Sequence, residues 1–133
     1  MAAALDDVAA GVALAVAGWD PAALDERDVD LEAALTRVPE HAAVLMFSHD
    51  PDLFPRVPAR VALTLSGHTH GGQVAVPLLR RRWIPSRYGE RYAGGHVVEG
   101  GRQLFITRGV GSSGVPVRLG APPEVVVLKL RPA

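Results

Sequence analysis

Apolar residues along this chain gather into short runs separated by polar and turn-forming clusters. Val44-Leu45-Met46-Phe47 and Val61-Ala62-Leu63-Thr64-Leu65 are bounded on both sides by polar residues, which predicts two buried strands. The segment between them is long enough for a crossover joining parallel strands. Ahead of them, Asp30 to Val38 carries apolar residues at i, i+4 and i+7 behind an acidic start, with Pro39 as stop, which predicts a short amphipathic helix. His96 to Glu99 and Gln103 to Thr107 flank Gly100-Gly101 and predict a hairpin. Val8 to Ala17 reads as a buried strand or hairpin that Gly11 interrupts, and Glu124 to Leu130 as a last strand. The Pro- and Gly-rich stretches 71–95 and 109–123 read as ordered surface loops. Helix and strand alternate early and hairpins dominate late, so the predicted class is mixed α/β.

Both internal strands deliver histidine at their carboxyl ends. The first runs into Ser48-His49-Asp50-Pro51-Asp52 and the second into Ser66-Gly67-His68-Thr69-His70-Gly71-Gly72-Gln73. In near-extended backbone the side chains at i and i+2 project to one side, so His68 and His70 are expected to face one cavity while Thr69 points away. The flanking glycines remove bulk and permit backbone angles that other residues avoid. Sites collect at the carboxyl edge of parallel strands in open α/β sheets, which would bring His49, His68 and His70 together. A His-x-His pair can also chelate a single tetrahedral zinc. Asp50, immediately before Pro51, is placed to cap a turn or short helix with the proline at its first position.

In their order these residues resemble the calcineurin-like metallophosphoesterases, whose signature toward the carboxyl end is a lone His followed by Gly-His-x-His. The lone His matches His49 and the pair matches His68 and His70. The longer Gly-His-Thr-His-Gly-Gly-Gln string is typical of one bacterial branch. The likeness continues through Pro85-Ser86-Arg87-Tyr88-Gly89, Thr107-Arg108-Gly109-Val110-Gly111, Pro116-Val117-Arg118 and Pro122-Pro123-Glu124. It implies a four-layer α/β/β/α sandwich with metals at the strand ends, of which this chain is the second half. It also implies hydrolysis of phosphomono- or phosphodiesters at a site where two divalent ions, about 3.5 to 4 Å apart, activate a water and clamp phosphate oxygens. Carried over, His49 and His68 serve one ion and His70 the other, with Mn, Zn or Fe as the metal.

The departures from the family matter as much. Complete members also carry, nearer the amino terminus, Asp-x-His, Gly-Asp and Gly-Asn-His, which supply the remaining ligands, a bridging carboxylate and a leaving-group histidine. Here no histidine has an Asp two positions before it, no glycine is followed by Asp, and asparagine does not occur. Residues 1–133 are therefore expected to form a partial metallophosphoesterase domain lacking the amino-terminal half of the fold and the catalytic histidine. Three neutral imidazoles cancel none of the four charges of two divalent ions. At most one ion, weakly held, is expected, and no activity from these 133 residues alone. The alternatives are a degenerate, non-catalytic metal-binding relative and one half of a split enzyme.

Composition adds less. Cysteine is absent, which excludes disulfides and thiolate ligands. The zero net charge conceals an asymmetry: residues 1–66 hold eleven acids and four bases, residues 67–133 three acids and ten bases. An anion would be drawn to the second part. Arg87 and Arg108, in the stretches that continue the resemblance, are the candidate phosphate contacts, since a guanidinium fork suits phosphate oxygens. Arg80-Arg81-Arg82-Trp83 reads as a solvated loop, so no nucleic-acid partner is expected. The Val8 to Ala17 run is preceded by Asp6 and Asp7 and is too short to cross a bilayer, so neither a signal peptide nor a membrane segment is expected in it. His41 and His96 are expected to stay off the metal, and Ser112-Ser113 is expected to be loop. An incomplete sheet would expose an edge and an apolar face, which predicts self-association. Nucleotide, lipid-linked and phosphoprotein esters all suit such divalent ions, and the location expected is cytoplasmic or membrane-peripheral.

Overall fold

The computed structural model describes residues 3–5, 12–17, 29–76 and 81–131. Among these, six strands form one mixed sheet: β1 (Ala3–Leu5), β2 (Val12–Ala17), β3 (Ala43–Ser48), β4 (Val61–Ser66), β7 (Gly95–Glu99) and β8 (Arg102–Ile106), in the order β1-β2-β3-β4-β8-β7. The central pairs β2/β3, β3/β4 and β4/β8 are parallel; the outer pairs β1/β2 and β7/β8 are antiparallel hairpins. β5 (Ala75–Val76) and β6 (Arg81–Arg82) form a small separate ribbon. The mixed α/β expectation is met, as are the two parallel strands, the crossover between them and the late hairpin. Part of the Val8 to Ala17 run forms β2, while Val8 to Gly11 and Arg80 lie outside the described residues.

Helix α1 (Leu31–Leu35) starts where its sequence predicts, with the Asp30 carboxylate accepting from the Ala33 N–H at 2.9 Å. It ends three residues before the expected Val38. The Thr36 hydroxyl bonds back to the Glu32 carbonyl, and Val38 N–H bonds Leu35 at i−3, tightening the last turn ahead of Pro39.

One sheet face carries the core. Val44 and Met46 of β3, Val61 of β4 and Leu104 and Ile106 of β8 are buried against Leu31 and Leu35 of α1 and against Leu53, Phe54 and Tyr92. The opposite face is apolar too, since Phe47, Leu65 and Phe105 are successive cross-strand partners, but Phe47 is 40% exposed.

The expected last strand from Glu124 to Leu130 does not form; the segment is irregular. Its exposures alternate as a strand's would: Val125 84%, Val126 38%, Val127 92% and Leu128 40%. The pattern is that of a strand, but a strand also needs a ladder, and no described residue pairs with this segment in one. Val126 and Leu128 instead help line an open groove of about 630 Å³ with Phe47, Leu65 and Phe105.

Candidate metal centre

β3 and β4 end side by side, and the bonds beyond their ends bring two histidines together. Gly67 N–H donates to the His49 carbonyl at 3.2 Å, and Thr107 N–H to the Ser66 carbonyl at 2.9 Å, so the carboxyl edges of three parallel strands are stitched beyond the ladder. Across the first stitch, His49 Nε2 stands 3.0 Å from His68 Nδ1, with the rings edge to face. Burial first, and His68 beside it second, hold the His49 imidazole below its ordinary pKa and so favour the neutral form that ligates metal.

The near-extended backbone expected through Gly67 to Gln73 is not found. His68 has φ 65° and His70 φ 51°, and His70 opens a 3₁₀ turn, His70–Gly72. With Gln73 at φ 39°, three non-glycine residues of this turn have positive φ, a sign of local strain held by the surroundings. The two imidazoles take different partners through Nδ1. His68 turns to His49, whereas His70 Nδ1 lies 3.1 Å from the Gly111 carbonyl and 3.2 Å from Arg118 Nη2. Thr69 does point away: it is buried, and its hydroxyl donates to the Ala93 carbonyl. Among the described residues no three His, Cys, Asp or Glu side chains stand close enough to hold one ion, so His49 and His68 converge without the third histidine. The glycine frame is strictly needed at Gly71, where φ is 65° and a Cβ would sit 2.8 Å from Arg108 Cδ.

The acids take structural parts. Asp50 accepts from Asp52 N–H and caps the 3₁₀ turn Pro51–Arg56 with proline at its start, as expected. Burial pushes its carboxyl above the usual range. Asp52 is buried and receives both the Ser86 hydroxyl and the Arg87 N–H, tying the Pro85 to Gly89 stretch to the 3₁₀ turn after β3, a role its place in the sequence does not reveal. The Arg87 side chain lies at the surface. Arg108 packs its Cγ and Cδ on Gly71 and points Nη1 toward Glu124 at 4.0 Å. His41 is exposed, and His96, also exposed, bonds Gln103 across the hairpin.

Two residues that hold the 109–122 loop against His70 were overlooked. The Gln73 amide donates to the Ser113 and Val115 carbonyls and accepts from Ser113 N–H. Arg118 donates to the carbonyls of Arg108, Gly111, Ala121 and Pro122. The Pro-x-Arg string around it was the one available signal.

The donor set fits a divalent ion in part. Nitrogens bound to one ion at about 2.0–2.1 Å, with angles of about 90 to 109°, lie about 3.0 to 3.4 Å apart, the spacing at which His49 and His68 stand. A histidine whose Nδ1 meets a backbone carbonyl, as His70 does, matches the common outer contact of a ligating imidazole.

An uncharacterized metallophosphoesterase of Bacillus subtilis, YkuE, is 34% identical over 103 residues, 77% of this chain and 36% of its own length. Phosphodiesterase YaeI of Escherichia coli is 46% identical over 68 residues, 51% of this chain and 24% of its own. An uncharacterized metallophosphoesterase of Aquifex aeolicus is 33% identical over 91 residues, 66% and 33%. The chain thus spans about a third of the length of these curated relatives, or less. No family model and no solved structure matches it. Several relatives named metallophosphoesterase or phosphodiesterase thus match along most of the chain, which supports its place in the calcineurin-like metallophosphoesterase family.

Proposed function

We propose that these residues form part of a two-metal phosphoesterase centre, with His49 and His68 sharing one ion, His70 serving the other, and the remaining ligands supplied by motifs that residues 1–133 do not contain. The observation that carries this reading is the 3.0 Å approach of His49 Nε2 and His68 Nδ1 at the carboxyl edge of parallel strands. Divalent ions bound there would supply charge stabilisation and a hydroxide at neutral pH for attack on a phosphomono- or phosphodiester. The chain's own share is to hold the ligating nitrogens at fixed spacing. Arg108, packed on the His70 turn in the basic part of the sequence, is the cation we assign to a phosphate oxygen in preference to Arg87. Self-association through the open sheet face belongs to the same reading.

Titration with zinc or manganese followed by metal analysis tests it. At most one weakly held ion per chain is expected, lost in His49→Ala and in His68→Ala but kept in His70→Ala, with no turnover of a chromogenic phosphodiester in added manganese. Two tightly held ions, or turnover abolished by His70→Ala, would overturn the partial-site reading. Undiminished uptake in the His49→Ala, His68→Ala double variant would remove the ligand assignment itself.

A further inference from the structure

Arg118 is bound in an unusual way for a charged residue in a loop. A guanidinium has five N–H groups. Nε donates to the Gly111 carbonyl at 2.8 Å, Nη1 to those of Ala121 and Pro122 at 3.0 and 3.3 Å, and Nη2 to that of Arg108 at 2.6 Å. The fifth N–H, on Nη2, faces His70 Nδ1 at 3.2 Å. Four carbonyls spread over fifteen residues are gathered by one side chain, and one of them, that of Gly111, also meets the His70 ring. No carboxylate takes part in these contacts, so the charge is spent on main-chain oxygens. A planar fork with fixed donor directions can do this, and a flexible ammonium cannot.

We infer that Arg118 is a positioning residue that anchors His70 by Nδ1, so that Nε2 is the nitrogen left to face the centre. The inference rests on the proposed ligand role for its meaning, though not for its test. Its strength is that both neutral tautomers satisfy it. With a proton on Nδ1, the ring donates to the Gly111 carbonyl, which Arg118 Nε already holds in place. With Nδ1 bare, the ring accepts from Arg118 Nη2. The left-handed backbone at His70 would otherwise leave the ring free to turn about its χ angles. Loop and ring are therefore one assembly, and the clamp fixes which edge of the imidazole is used.

Nitrogen NMR of the chain labelled with ¹⁵N-histidine reads this directly. In the metal-free protein, Arg118→Lys and Arg118→Ala are expected to shift the His70 Nδ1 resonance while those of His41 and His96 stay in place. The backbone amide spectrum identifies any variant that has simply unfolded, and Arg118→Lys, which keeps the charge, guards against that outcome. Unchanged His70 ring resonances in a folded variant would overturn the inference. The comparison is made without metal, so its outcome is independent of whether His70 ligates an ion, which the metal titration tests separately.

Discussion

Asp50 and Asp52 stand one residue apart beside His49 and do different work. Asp50 closes the first turn of a 3₁₀ segment, a contact whose loss costs about 1 kcal/mol. Asp52 is buried and accepts two donors from a distant loop, so its removal strands a hydroxyl and a backbone N–H and costs roughly 1–3 kcal/mol. Urea denaturation of Asp50→Ala and Asp52→Ala should rank them in that order, with zinc uptake unchanged in both; a specific loss of uptake in Asp50→Ala would restore it as a ligand. Tyr92 supplies a second residue-level prediction. It is fully buried, and burial, together with its hydrogen bond to Glu99, pushes the phenol from 10.0 up to about 12. Because the folded pKa is raised, the unfolded chain loses this proton first. The contribution to stability is complete below about pH 10 and is lost as the pH climbs through about 12. Tyr92→Phe should flatten the stability profile across that window, as followed by denaturation at fixed pH steps; an unchanged slope would assign it to other groups.

At the scale of elements, the sequence was legible wherever a run of apolar residues pairs with its chain neighbour or with a strand one crossover away. β3, β4, the β7/β8 hairpin and the Asp30 cap all follow from local pattern. The convergence of His49 and His68 was legible for the same reason, because parallel strands align their carboxyl ends. What escaped was conformation set from a distance. The turn after β4 departs from extended geometry because Arg108, far along the chain, packs on Gly71, and because Arg118 and Gln73 hold the facing loop. Likewise, Glu124 to Leu130 has the composition and alternation of a strand, yet pairing is a property of two segments. Gly71 is the test of this turn. Gly71→Ala must place a Cβ into Arg108 and adopt φ 65°, a cost of about 1–3 kcal/mol. Thermal denaturation should show that loss, while Gly67→Ala, with open space around it, should cost well under half as much.

Among the described residues, the decisive feature at the scale of the whole molecule is a mixed sheet with parallel central strands, one face in the core and the other only partly covered. Strands buried on both faces read as continuous apolar runs, and β3 has such a run, Val44 to Phe47, yet only its alternate residues are covered. Phe47, Leu65 and Phe105 lie in one cross-strand row on the open side, with Val126 and Leu128 beside them. An apolar row next to a strand-patterned segment without a ladder invites a further strand or a second face, and a second copy of this chain offers both. Sedimentation of the chain should then give an average mass above 14.1 kDa that rises with concentration. Phe47→Glu sets a charge in the middle of that row without touching the buried face, and should return the chain to its monomer mass with its circular dichroism intact. A wild-type mass of 14.1 kDa at every concentration would show that the sheet is stable with this face open to water. The metal experiment is tied to that result, because copies joined face to face duplicate the same three histidines and add no carboxylate ligand from the missing motifs, so association should leave the number of ions bound per chain unchanged.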